Sequence, residues 1–307
     1  MSQISAVVPA VEQSRRLKRS IYSSDNWIAY LLILPSLVGF ALFYALPTIR
    51  GLFISFTDWN LLTPAKYVGL SNYKELFRDP DFWNAIKVTV SYVLWNIPLQ
   101  TALALVFALV MNAVAGSNLL RGLMLLPWLM PNVVVGLLWL WLVDPNVGIL
   151  NVAIKVISGS SIPFLSSPKY AIPTIAWINI WRHMGYTALL VFAGLQTIPK
   201  EVYEAASIDG ASSRQTFFRV TLPLLRPVLT FVIVTSVIGS FQVFDTVAIT
   251  TKGGPINATK VFNYFIYQQA FERFRMGYAT AISIILFVIL VGVSILQMRL
   301  MRAGEVD

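Results

Sequence analysis

Apolar runs and polar breaks alternate along this chain on a scale much longer than a helical turn. Six stretches, Trp27 to Phe53, Val88 to Met111, Gly122 to Val143, Ala171 to Gln196, Pro227 to Thr250 and Tyr278 to Met298, stay apolar long enough to cross a membrane. A helix needs about 20 residues to span a hydrocarbon core of about 30 Å. Lipid offers the backbone no hydrogen-bond partners, so spans of this kind must be helices. The pattern therefore predicts an all-α polytopic membrane protein with six transmembrane helices. Charge interrupts the runs at Arg182 and Asp245, apart from Arg50 near one end. The longest breaks, around Thr57 to Lys87 and Thr251 to Gly277, hold no evident soluble domain. The expected division is a tail over 1–26, a membrane domain over 27–300 with a polar loop at 199–226, and a second tail over 301–307.

Composition agrees with that pattern. Of 307 residues, 57% are hydrophobic and 12% charged, against about 25% charged in an average soluble domain. The net charge of +9 is spread between apolar runs and forms no long basic stretch. Lipid headgroups and membrane orientation account for such scattered charge better than nucleic acid does. The absence of cysteine excludes disulfides, thiolate metal sites and cysteine nucleophiles, and a single histidine, His183, excludes paired-histidine zinc chemistry.

Ser14-Arg15-Arg16-Leu17-Lys18 is similar to part of a twin-arginine export signal. The apolar run behind it starts several residues later, is too long for a signal core and has no convincing cleavage site, so a retained first span with a basic tail is expected. Lysine and arginine divide almost evenly between the two sides. The first span usually dominates orientation, and Arg15, Arg16, Lys18 and Arg19 place the N-terminus inside. Four crossings later, Lys200 to Arg226 is expected on the cytoplasmic side.

That polar stretch reads as two short helices. Pro199 can open the first, Glu201 and Glu204 sit near its positive end, and Gly210 closes it in a left-handed conformation. A second helix is expected from about Ser212 to Thr221, stopped by Pro223. Composition alone leaves open an amphipathic loop lying on the bilayer. The spacing points elsewhere. Glu204, Ala205, Ala206, Gly210, Leu222 and Pro223 fall in register with the EAA loop, and Val220 replaces its usual isoleucine. The segment resembles this loop in permease subunits of binding-protein-dependent ABC importers. Ser55-Phe56-Thr57-Asp58-Trp59, Val68-Gly69-Leu70-Ser71-Asn72-Tyr73, Gly148 with Asn151, Phe241-Gln242-Val243-Phe244-Asp245 and Thr250-Thr251-Lys252-Gly253-Gly254-Pro255 extend the likeness, in particular to sugar importers. Without the extra N-terminal spans and large outer domain of the maltose-type subunit, the chain is more similar to six-span glycerol-3-phosphate and disaccharide types.

The resemblance implies an ABC type I importer permease fold, with a cytoplasmic coupling helix between spans four and five. It assigns ATPase coupling to Glu204, Ala205, Ala206, Asp209, Gly210 and Pro223. The implied location is a bacterial or archaeal cytoplasmic membrane, with both termini cytoplasmic. The chain has no phosphate-binding GxxxxGKS or GxxxxGKT loop, so a partner must supply energy. The implied partners are a second homologous permease, an ATPase dimer carrying ATP and magnesium, an extracytoplasmic solute-binding protein and a sugar. The chain itself is expected to be non-catalytic and to bind no cofactor.

Buried charge in a bilayer usually faces a cavity or a partner. Trp181, Arg182, Tyr186, Gln242 and Asp245 are therefore candidates for a substrate route. Equally open are a structural Arg182–Asp245 pair, or a bond from Arg182 to a companion subunit. Asn96, Gln100, Asn132 and Gln242 read as interhelical hydrogen-bonding residues. Pro127 and Pro131, four apart in the third span, predict an opened or kinked helix. An ion-driven secondary transporter is the alternative reading, with Arg182, His183 and Asp245 as its only intramembrane ionisable groups.

Overall fold

The computed structural model describes residues 26–113 and 118–302, so the predicted N-terminal tail and most of the C-terminal one lie outside the described residues. The described chain is mostly helical. It divides after Phe53 into two units. The first is one apolar rod made of α1 (Asn26–Phe40), a single wide turn over Ala41–Ala45, and α2 (Leu46–Ile54), which runs just past the boundary. In the wide turn the Leu46 N–H bonds back five residues to the Ala41 carbonyl. Pro47 follows directly. A proline ring crowds the carbonyl four residues before it and offers no N–H, and one extra residue in the preceding turn relieves both problems.

The second unit begins with a two-stranded antiparallel bridge, β1 (Thr57–Asp58) and β2 (Lys66–Tyr67), pairing Thr57 with Tyr67 and Asp58 with Lys66. This bridge is the exception to the all-α expectation. Then come α3 (Ser71–Leu76) and α4 (Pro80–Ala113). Pro80 suits the first helical position, where no N–H is needed, and the Asp79 carboxylate accepts the Asp81 N–H at 2.8 Å. The helix therefore starts well before the apolar boundary at Val88. Its 34 residues make a rod of about 51 Å, longer than any hydrocarbon core.

The third apolar run is not one helix. It forms α5 (Asn118–Leu129) and α6 (Asn132–Leu142), whose described parts are bent by 97°. Pro127 stays inside α5, and the break falls at Met130–Pro131. A residue before proline is pushed out of the α region, and Pro131 itself is extended at φ −57°, ψ 140°.

After α6, the half-buried Asp144 carboxylate accepts the N–H groups of Val147 and Asn146, which hold it below the usual aspartate range. Buried Asn151 on α7 (Ile149–Ser158) ties this turn down, donating to the carbonyls of Val143 and Ile162 and accepting the Ile162 N–H at 2.7 Å. The next helix, α8 (Ala171–Gln196), packs along α4 through Ala104, Ala108 and Ala188, all fully buried. It lies so close to α5 that a Cβ on Gly185 would come within 1.9 Å of the Met124 carbonyl oxygen.

The polar segment forms α9 (Lys200–Ile208), a turn at Gly210, α10 (Ser213–Thr216), a wide turn over Phe217–Thr221, and α11 (Leu222–Leu224). Pro223 does not stop the second helix as expected. Here too the wide turn immediately precedes a proline, with the Leu222 N–H reaching Phe217, and the chain passes through Leu225 into α12 (Arg226–Phe241). The fifth apolar run breaks at Gln242–Phe244 before α13 (Asp245–Thr250). Last come α14 (Phe262–Tyr267), a wide turn at Gln268–Glu272, and α15 (Met276–Arg302).

Among the described residues, four helical stretches are long and apolar enough to cross a membrane: Tyr30–Ile54, Pro80–Ala113, Arg226–Thr250 and Met276–Leu300. The bent α5–α6 pair makes a fifth if counted as one span. The expected fourth span, α8, is 26 residues long. It falls short in apolarity rather than length, because it carries Asn179, Arg182, His183 and Gln196.

Candidate functional site

A cavity of about 290 Å³ opens where α4, α8 and α12 meet the two helix breaks. On α4, Tyr92, Asn96 and Gln100 recur every four residues and so share one face. From Asn96 the hydrogen bonds cross the bundle. Its Nδ2 donates to Ser240 Oγ on α12 at 2.9 Å and to Gln100 Oε1 at 3.2 Å, and Gln100 Nε2 donates to Thr187 Oγ1 on α8 at 2.9 Å. Thr246 Oγ1 donates to Asn179 Oδ1 at 3.3 Å. Asn96, Gln100 and Asn132 thus act as the interhelical residues the sequence predicts, and they also wall the cavity. The Asn96 Oδ1 atom is buried and accepts no hydrogen bond among the described residues.

Tyr186, Gln242 and Asp245, three of the predicted route residues, line this cavity. Asp245 opens α13, where the helix dipole favours a carboxylate, and accepts a hydrogen bond from Asn132 Nδ2 on α6. Each helix break supplies one partner. Gln242 presents its side chain while its carbonyl accepts Asn263 Nδ2 at 2.9 Å.

Trp181 and Arg182 do not line it. Trp181 packs edge-on against Trp139, 5.6 Å between ring centroids, in a separate apolar cluster with Val135, Val143 and Ile178. Arg182 is occupied by backbone. The bend at Pro131 deprives the end of α5 of helical donors, and the guanidinium fills the gap: Nε and Nη2 donate to the Met130 carbonyl at 3.3 and 3.0 Å, and Nη2 to that of Trp128 at 3.2 Å. Its Nη1 lies 2.9 Å from His183 Nε2. Among the described residues no ion pair joins Arg182 to Asp245.

Trp128 is one of several cavity residues, Thr187 and Ser240 among them, that escaped the sequence reading. Trp128 stacks on Tyr186 with centroids 4.6 Å apart and rings 8° from parallel, each side chain more than a third exposed. Its neighbour Pro127 was visible in the sequence, but the stack depends on the α5–α8 approach at Gly185.

At the other candidate site, α9 ends as the sequence predicts. Gly210 is left-handed at φ +73°, its N–H bonds to Ser207 and the Ala211 N–H to Ala206, the double bond of a glycine-terminated helix. Ser212 and Gln215 cap the next helix reciprocally. Glu204, Ala205, Asp209, Gly210 and Pro223 are exposed, whereas Ala206 is buried. Ile208, one turn beyond Glu204 and 86% exposed, shares that outward face and was not singled out by motif. Among the described residues no three His, Cys, Asp or Glu side chains converge on a possible metal position.

Helices, several of them long and apolar enough to cross a membrane, thus surround an amide- and hydroxyl-lined cavity. The chain belongs to the binding-protein-dependent transport system inner membrane component family, whose pattern matches residues 100–303. It is 35% identical over 286 residues to the probable ABC transporter permease YesP of Bacillus subtilis, covering 91% of this chain and 90% of that one. The trehalose/maltose transport system permease MalF of Thermococcus litoralis is 34% identical over 280 residues, covering 90% and 94%. A solved bacterial ABC transporter that imports the acidic polysaccharide alginate has the same fold, with a TM-score of 0.81 at 24% identity, over 94% of this chain and 99% of that one. This is the ABC importer permease fold.

Proposed function

We propose that this chain forms half of the translocation route of an ATP-driven sugar importer. The observation that carries it is the cavity: a hydrogen-bonding amide and hydroxyl surface beside an exposed aromatic stack, set among helices apolar enough for lipid. Sugars present hydroxyls at their edges and C–H faces above and below, and these two kinds of wall match both. In this reading the chain crosses the cytoplasmic membrane six times, through α1–α2, α4, α5–α6, α8, α12–α13 and α15, with both termini inside. The membrane domain then covers 27–300, flanked by the tails at 1–26 and 301–307.

The loop at 199–226 lies on the cytoplasmic side and docks a partner ATPase through Glu204, Ala205, Ala206, Asp209, Gly210 and Pro223. Its exposed, doubly capped turn supports that reading. Closure of an ATPase dimer draws this loop towards its counterpart on a second permease subunit. The route then opens outward to an extracytoplasmic binding protein, and hydrolysis resets it. Each side biases the other's equilibrium.

The test is uptake in proteoliposomes holding the complete complex. Transport that requires internal ATP and ignores collapse of proton and sodium gradients is the expected result. Uptake that follows an ion gradient without ATP would establish the secondary transporter instead.

A further inference from the structure

The names of related transporters divide between neutral and acidic cargo, trehalose and maltose on one side and alginate on the other. Kinship therefore does not decide the charge class, and the cavity wall does. We infer that this chain's half of the route accepts neutral saccharides and disfavours sugars carrying phosphate, sulfonate or carboxylate. The inference rests on the cavity being the sugar's path.

An anionic group leaving water needs cationic or fixed donor partners to replace its hydration. Among the described residues no lysine or arginine lines the cavity, and its one acidic lining residue is Asp245. His183 lines the cavity as well, but its Nδ1 lies 2.8 Å from the Asn179 carbonyl and its Nε2 2.9 Å from Arg182 Nη1, so both ring nitrogens are already engaged. The neighbouring Arg182 directs its donors at the Met130 and Trp128 carbonyls behind the bend. Turning it inward would strip those carbonyls of their partners. The Asp245 carboxylate meanwhile repels a like charge and accepts hydrogen bonds from hydroxyls.

Much of the remaining polar wall is amide and hydroxyl, from residues such as Asn96, Gln100, Asn179, Thr187 and Ser240. Amides and hydroxyls both donate and accept, as sugar hydroxyls do. The paired rings of Trp128 and Tyr186 add a flat apolar surface suited to an uncharged pyranose face. Amides, hydroxyls and the aromatic stack of this wall favour the same class of ligand.

The experiment uses the assembled complex in lipid nanodiscs without binding protein, so that the binding protein's own selectivity does not enter. Saturation-transfer NMR titrations compare neutral trehalose and maltotriose with sn-glycerol 3-phosphate and a diuronate of matched size. At least one neutral probe should bind about tenfold more tightly than either anion, a difference of about 1.4 kcal/mol. Trp128→Ala should weaken it about tenfold, and Asp245→Asn should narrow the gap to the diuronate to about threefold. Size-exclusion recovery of each variant complex separates lost binding from lost assembly, and Tyr186→Leu, which removes the other ring, serves as a second probe of the stack if Trp128→Ala fails to assemble. Anion binding as tight as neutral binding, weakened by Arg182→Gln, would overturn the charge class while leaving the cavity as the route. Neutral binding indifferent to both stack variants would overturn the route itself.

Discussion

Two glycines act through opposite physics. Gly210 has open space where a Cβ would stand, yet its φ of +73° is a conformation that L residues adopt at a cost of about 1–2 kcal/mol. Gly185 has no such backbone demand, but a Cβ there would collide with the Met124 carbonyl. Gly210→Val should therefore leave the bundle assembled while abolishing or weakening sugar-stimulated ATPase activity, with the ATPase less firmly retained during purification. Gly185→Ala should lower the melting temperature and the yield of folded chain. Wild-type coupling in Gly210→Val would remove the coupling role from this turn, and a thermally unaltered Gly185→Ala would show that the contact relaxes freely.

At the scale of elements, the break between α5 and α6 explains the half-buried arginine. The sequence displayed both ingredients, a proline pair and a charge inside an apolar run, but not their relation. Arg182 follows its backbone partners by 52 and 54 residues, and no local pattern reports a carbonyl freed by a distant bend. Periodicity also underestimated α4, because its first turns lie outside the apolar stretch that hydropathy detects. Gly210 was legible because a left-handed turn is a local backbone requirement. Pro223 was misread because a single wide turn lets helix continue past proline. Hydrogen bonds from charged groups contribute about 1.5–3 kcal/mol each, so Arg182→Gln should destabilise the chain by about 3 kcal/mol without raising the apparent KM for sugar of the complex that assembles. Arg182→Lys should recover only part, since an ammonium lacks the planar fork. Unchanged stability with a raised KM would instead make Arg182 a route residue.

Across the whole second unit, distant segments are joined by a few polar latches. Lys260, only 4% exposed, pairs with Asp81 at the start of α4 at 3.2 Å, and Asn84 Nδ2 donates to the Asn257 carbonyl in the same loop. Removing Asp81 leaves the buried Lys260 ammonium uncompensated, at a cost below the about 3–5 kcal/mol of a fully buried pair because the Asp81 side chain is itself a third exposed. Asp81→Ala, which strands the more deeply buried ammonium, should thus be more destabilising than Lys260→Met in thermal melts, and the reverse order would refute the latch. The polar cavity obeys a different rule at this scale. Where Gly185 meets Met124, two backbones touch, so α5 and α8 behave as a riveted plate that cannot shear. The Asn96–Ser240 seam between α4 and α12 is held by side-chain hydrogen bonds, which a hydroxylated guest can replace one for one. On the proposed route, a passing sugar would therefore exchange its hydroxyls for the bonds of that seam and leave the Gly185–Met124 contact closed.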